Sequence, residues 1–286
     1  MAKTSFNSRD FLEINLAMLL LSTSGPFGKF IVLPAPLTIE LRAVMAFVFL
    51  LIYCRIKGVS FKLNNKDRWP ILLCGLLLCV HWVTYFQALQ LSNVAIGMLS
   101  LFTYPVITAF LEPLFLKTRF QKIHLVLGLL VLFGIYLLVP DFSLENEYTL
   151  AIGAGLFSAL CYAVRNLILK TKVEKYQGSM LMAYQMAIVG MLLLPVYFLY
   201  DFEGVGGQWQ ALLALVLITT VIGHTMFINC FRLFSITTVS ILSCIQPVYG
   251  ILIGALLLSE IPAWSTIMGG TLILTSVIIE SIRSYR

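Results

Sequence analysis

The sequence predicts an all-α membrane protein whose ten transmembrane helices form two inverted five-helix repeats. Three observations carry that prediction. First, 60% of the 286 residues are hydrophobic and only 11% are charged, a balance that cannot clothe a water-soluble fold. Second, ten apolar runs of about 20 residues follow one another, the length needed to cross a hydrocarbon layer roughly 30 Å thick. Third, the chain repeats itself. Shifted by 142 positions, Leu91, Pro105, Val106, Leu114, Leu116, Gly128, Leu130 and Leu132 fall without a gap on Leu233, Pro247, Val248, Leu256, Leu258, Gly270, Leu272 and Leu274. Each half, residues 1–140 and 141–286, holds five spans. An odd number makes the second half enter the membrane from the opposite side, so the repeats are inverted.

The spans are expected at 11–33, 36–54, 69–91, 94–116, 122–139, 148–170, 179–200, 208–230, 236–258 and 262–282. Short connections leave no room for a soluble domain. Lys3 and Arg9 precede the first span as in a signal peptide, but Ser22 to Gly28 offers no small-x-small cleavage pattern, and the span reads as an uncleaved helix. Of 19 Lys and Arg, all except Lys29, Arg42 and Arg165 fall in loops and tails of one side. Arg55, Lys57, Lys62, Lys66 and Arg68 join spans 2 and 3; Lys117, Arg119 and Lys122 join 4 and 5; Lys170, Lys172 and Lys175 follow span 6. Opposite loops carry Asp141, Glu145, Glu147, Asp201, Glu203 and Glu260 instead. Basic loops stay inside, which puts both termini in the cytoplasm and the chain in a cell membrane, that of a bacterial cytoplasm being the natural setting. The net charge of +6 therefore reports topology and calls for no nucleic-acid partner.

Polar residues then mark the path through the bundle. In span 1 the stretch Ser22-Thr23-Ser24-Gly25-Pro26-Phe27-Gly28 breaks the helix at Pro26 and turns Ser24 toward a cavity. Span 2 carries Glu40 and Arg42 near its external end, where Arg42 or Lys29 is expected to hold Glu40 ionised. The bland alternative for Lys29 and Arg42 is snorkelling to headgroups. In span 3, His81 and Tyr85 are four apart and share a face. Span 4 repeats Ser100, Tyr104, Thr108 and Glu112 every four residues, about 400° of helical turn, so they form one polar stripe beside Pro105. Glu112, near Lys117 and Arg119, is expected to stay permanently ionised.

The second half answers in kind. Span 6 holds Arg165 and Asn166, span 7 Tyr184 and Gln185, and span 8 His224, one position from the repeat mate of His81. Span 9 places Ser243 and Gln246 before Pro247, as Tyr104 precedes Pro105, so Tyr104 and Gln246 are expected to line the cavity near mid-membrane. Spans 5 and 10 offer Gly128, Gly134, Gly269 and Gly270 for close scaffolding contacts. His81, His224, Glu40 and Glu112 are the titratable groups that a proton-coupled carrier would use. The plainer reading of each histidine is a hydrogen bond between helices. No isolated carboxylate stands at the midplane, so exchange or gradient-driven flux with at most weak pH dependence is expected.

Six cysteines lie in or beside apolar segments without CxxC spacing or a histidine set, so neither disulfide, metal site nor other cofactor is expected. The nucleotide loop GxxxxGK[ST] is missing, which leaves ATP-driven transport without machinery in this chain. HExxH is missing too, and an intramembrane enzyme stays only as a remote alternative.

Ser235, Pro247, Leu258-Ser259-Glu260 and Gly270, with Tyr85, Ala88-Leu89, Ser92, Pro105 and Gly128 in the first half, are similar to the pattern of the EamA family in the drug/metabolite transporter superfamily. Thr118 departs from it, standing where the family often has Glu. The resemblance implies a central cavity built by helices 1–4 and 6–9, with 5 and 10 at the margin, and export of amino acids or related metabolites. The residues alone reach a secondary transporter of a small polar or amphipathic solute, working by alternating access in the bilayer. An exchanger or uptake carrier for an anionic, phosphorylated or sugar-linked metabolite is the alternative that Lys29, Arg42 and Arg165 support. Whether it works as a monomer or a homodimer stays open.

Overall fold

The computed structural model describes residues 8–116, 122–138, 143, 145–234, 239 and 242–285, with the side chains of these described between 12 and 279 except Leu116 and His124. Among these residues every regular element is helical. The order is α1 (Ser8–Ser22), α2 (Ser24–Phe30), α3 (Ala35–Ile56), a 3-10 turn (Asn65–Asp67), α4 (Arg68–Leu91), α5 (Val94–Leu101), α6 (Tyr104–Leu116) and α7 (Ile123–Leu138). Then come α8 (Glu147–Lys170), α9 (Gly178–Leu193), α10 (Val196–Leu199), α11 (Val205–Ala214), a π-helical stretch (Leu215–His224), α12 (Thr225–Leu233), α13 (Ile245–Leu258) and α14 (Trp264–Tyr285).

Six helices are long and apolar enough to cross a membrane: Ala35–Ile56, Asn65–Leu91, Val94–Phe115, Glu147–Lys170, Gly178–Leu199 and Val205–Leu233. Shorter apolar helices cover Leu125–Leu138, Ile245–Leu258 and Trp264–Ile279. The first expected span is cut at Thr23 into pieces of 15 and 7 residues. Large apolar side chains such as Leu114, Phe198 and Leu256 point outward, the surface of a protein solvated by lipid. This is a multi-pass membrane protein.

The breaks follow one rule. Pro26, Pro105 and Pro247 each sit in the first turn of a helical segment, α2, α6 or α13, where the backbone N–H has no intrahelical partner anyway. The interruption in the fourth span therefore falls at Phe102–Thr103, just before Tyr104, rather than at a carbonyl freed by Pro105. Pro113 is the proline that lies inside a helix.

α4 packs along α8 and α9, α3 along α9 and the π-helical stretch, and α1 along the same stretch. α5 and α6 lie against α8, α13 against α5, α1 and α2, and α7 against α14. The last pair meets at glycines: a Cβ on Gly134 would touch the carbonyl oxygen of Gly269 and the reverse, so only glycine allows that approach. One apolar cluster runs through α1, α3, α4, α8, α9 and the segments around Phe227, and a smaller one joins α7 to α14.

Polar ties knit the halves at both ends. Glu260, the acid of the Leu258-Ser259-Glu260 run, accepts the backbone N–H of Val94 at 2.8 Å and so caps α5, while Ser259 takes the left-handed conformation (φ 56°) that ends α13. At the end carrying the 57–67 segment, Asp67 accepts Lys172 Nζ at 2.6 Å and the Tyr176 hydroxyl at 2.8 Å. Lys29 Nζ donates to the carbonyls of Gln90 (3.3 Å) and Ser92 (2.6 Å), capping the C-terminus of α4. It neither snorkels nor holds Glu40.

Candidate functional site

The broken first span, α4, α5, α8 and the end of the π-helical stretch converge on a closed chamber inside the bundle. Its walls include Ser24, His81, Trp82, Tyr85, Phe102, Tyr162, His224 and Gln246. Free space between them is about 30 Å³, enough for a water and far below what a metabolite occupies. No metabolite-sized molecule fits there in this arrangement of the helices.

On one side His81 lies between two phenol rings, 4.5 Å from Tyr162 and 6.1 Å from Tyr85 between centroids. Ser158 Oγ donates its single hydrogen to the His81 carbonyl at 2.9 Å and meets Nδ1 at 2.7 Å. The Ser158 hydroxyl therefore bridges the His81 ring and the His81 carbonyl, tying α8 to α4 at this point. Opposite, His224 packs at 5.3 Å on Trp82, and its Nδ1 is buried without a hydrogen-bond partner. Gln246 Nε2 has only the thioether of Met18 at 2.9 Å, a weak acceptor.

Two guanidinium groups stand behind the aromatic walls. Arg42, fully buried, lies 3.8 Å over the Trp82 ring, donates from Nε to Thr220 (2.6 Å) and from one terminal nitrogen to Thr219 (2.9 Å), and leaves the other without a partner. The wider π-helical turn lets two adjacent threonines reach one side chain. Arg165, also fully buried, donates from Nε to Gln185 (2.8 Å) and from one terminal nitrogen to Asn166 (3.1 Å), lies 5.8 Å from the Tyr162 ring, and likewise keeps one terminal nitrogen unpartnered among the described residues. Among the described residues neither arginine has a carboxylate in ion-pair distance. Arg42 does not snorkel.

Ser24, His81, Tyr85, His224 and Gln246 are thus together on the wall, with Arg42, Arg165, Asn166 and Gln185 one layer out. Tyr104 also sits one ring behind, edge-on to Tyr162 at 4.9 Å. The stripe below it is spent locally: Ser100 donates to Ile96, Thr108 to Tyr104, and Ser100 packs against Gly155 of α8. Ser243 donates to Val239. Tyr184 lies elsewhere, its hydroxyl donating to the Phe61 carbonyl at 2.7 Å beside a separate cavity. Glu112 is half-buried on the last turns of α6, and its proposed partners Lys117 and Arg119, like Ser235, are outside the described residues.

The expected Glu40 ion pair is overturned. Residues two apart on a helix face different ways, so Arg42 turns to the π-helical stretch while Glu40 turns to α9, with Oε2 3.9 Å from where a Cβ on Gly190 would lie. Neither carboxyl oxygen meets hydrogen-bond geometry, although the Tyr197 hydroxyl lies alongside. Sequence reading did not single out Tyr162 and Ser158. Their signal is the spacing 158, 162, 165–166, one face of α8. No group of three or more His, Cys, Asp or Glu converges on a metal position among the described residues.

Residues 12–139 and, separately, 149–282 match the EamA-like transporter family. The chain belongs to that family. It is 26% identical over 297 residues to an uncharacterized inner membrane transporter, YicL, of Salmonella typhimurium, covering 97% of each chain. It is 25% identical over 231 residues to the pseudopaline exporter CntI of Pseudomonas aeruginosa, 80% of each, and 26% identical over 223 residues to an uncharacterized transporter of Archaeoglobus fulgidus, 77% of this chain and 80% of that one. A crystal structure superposes with a TM-score of 0.71 at 18% identity over 98% of this EamA-family chain and 99% of the other, which establishes a shared fold.

Proposed function

We propose that this chain is a secondary transporter that exports amino acids or related small metabolites across the cytoplasmic membrane by alternating access between two inverted repeats, 1–140 and 141–286. The observation that carries this reading is the closed polar and aromatic chamber beside interrupted helices, too small for a solute until the halves move. The doubled family match supports the repeats, and so does the packing. Exchange the two sets of five spans and the most extensive contacts between the halves map onto one another: α4 with α8 becomes the π-helical stretch with α1, and α4 with α9 becomes the π-helical stretch with α3. The pairs α3 with α9, α5 with α13 and α7 with α14 map onto themselves. Such a pair of halves can trade conformations and open the chamber to alternate faces. The relative named as a pseudopaline exporter favours outward movement of a small metabolite.

A second reading, exchange or uptake of a phosphorylated or sugar-linked anion, draws on the two buried arginines that lack an acid. Competition in proteoliposomes between labelled amino acids and anionic metabolites separates the two. Displacement by neutral amino acids supports export of that class, whereas displacement only by phosphorylated compounds hands the site to the second reading.

Both termini and the 57–67 segment are placed in the cytoplasm on this reading. In a cysteine-free variant, Asn64→Cys and Asn146→Cys are expected to react with an impermeant thiol reagent from opposite sides of the membrane. Labelling from one side would remove the inverted repeat.

A further inference from the structure

Away from the chamber, a cavity of about 970 Å³ opens where the start of α4, the middle of α9 and the segment 59–64 meet. The segment is extended, and its side chains alternate: Val59, Phe61 and Leu63 are half-buried against the helices, while Ser60, Lys62 and Asn64 face out. The Tyr184 hydroxyl pins it by the Phe61 carbonyl, and Asn64 N–H is accepted by the Tyr176 hydroxyl. The wall is apolar, the rim cationic: Lys62 and Arg68 are exposed, and Trp69 is 77% exposed beside them. The nearest acid, Asp67, is turned away to Lys172, Lys175 and Tyr176 and neutralises neither rim charge.

From that rim an apolar track descends. Leu72 and Leu76, four apart and each 43% exposed, continue the face of α4, with Ile188 of α9 beside the first of them. A cationic mouth, an exposed indole at headgroup level and a groove running into the hydrocarbon layer together fit an amphiphile, not a soluble ion. We propose that this cavity binds the headgroup of an anionic phospholipid, with its acyl chain along Leu72 and Leu76.

The test uses delipidated full-length protein titrated in detergent with phosphatidylglycerol or phosphatidylcholine and followed by native mass spectrometry. Wild type is expected to favour phosphatidylglycerol, and each of Lys62→Gln and Arg68→Gln to reduce that preference about fivefold. Lys66→Gln, an exposed lysine outside the cavity, is expected to leave it intact. Glycerol 3-phosphate, a headgroup without chains, is expected not to displace the lipid. An unchanged preference in the double variant, or displacement by glycerol 3-phosphate, would overturn the proposal. Both replaced side chains are exposed, and the thermal midpoint confirms that each variant is folded.

Discussion

Replacing Arg42 with methionine is expected to weaken solute binding tenfold or more while leaving the thermal midpoint unchanged or higher. The argument starts from cost. A guanidinium removed from water loses several kcal/mol of solvation, which an acid partner and full hydrogen bonding can offset. Among the described residues Arg42 has two threonine hydroxyls, the rings of Trp82 and Phe86 and an empty terminal nitrogen. Its burial therefore strains the resting protein, and a methionine of similar length packing on Trp82 relieves that strain. What is lost is a charge-assisted bond to an anionic group of the solute, about 1.5–3 kcal/mol, which corresponds to roughly 10- to 150-fold in affinity. Arg42→Lys keeps the charge but not the planar fork, and falls between. Arg165→Met is expected to behave alike. The measurements are transport affinity in proteoliposomes and thermal unfolding of the same preparations. A large drop in midpoint with unaltered affinity would make the arginines structural and sink their role in recognition.

Much of this was legible before any coordinates. The 142-residue offset and the odd number of spans per half are the basis of the proposed inverted repeats, because a repeat in sequence constrains which faces are apolar in both halves. His81, Tyr85, His224 and Gln246 were found by four-residue spacing and by position before a proline, and they do share one wall. The polar stripe of the fourth span misled for a physical reason. Ser and Thr in a helix can return their hydrogen to the carbonyl four residues back, as Ser100 and Thr108 do, and then need no cavity. Tyr184 misled differently: it was read with its neighbour Gln185 as part of the pathway, but only the folded 59–64 segment shows that its hydroxyl has a partner there. The π-helical stretch could not be read at all, since it changes which residues share a face after the pattern has already been judged at 3.6 residues per turn.

The pairing of Glu40 matters most, because it decides what drives transport. The expectation of weak pH dependence rested on the lack of an isolated midplane carboxylate and set Glu40 aside as held by Arg42 or Lys29, and among the described residues that pairing fails. It is fully buried, roughly 8 Å from the start of α3, with no ion pair among the described residues. α3 packs on α9, and on the proposed alternating-access reading the two shift against each other whenever the chamber changes its open face. On that reading a carboxyl group held there meets water in one arrangement and is shut away in the other, the requirement for carrying a proton across. An imposed pH gradient is therefore expected to drive uphill accumulation in proteoliposomes, up to about tenfold per pH unit for one proton per solute. Glu40→Gln, nearly isosteric, is expected to abolish that accumulation while retaining downhill exchange, and Glu40→Asp to restore part of it. His81→Gln and His224→Gln are expected to change affinity without uncoupling, since both rings belong to the chamber wall. Gradient-driven accumulation that survives in Glu40→Gln, or a wild type indifferent to the gradient, would end the case for this carboxyl as the coupling group. Loss of coupling in either histidine variant, with Glu40→Gln still coupled, would move the proton onto the imidazoles instead.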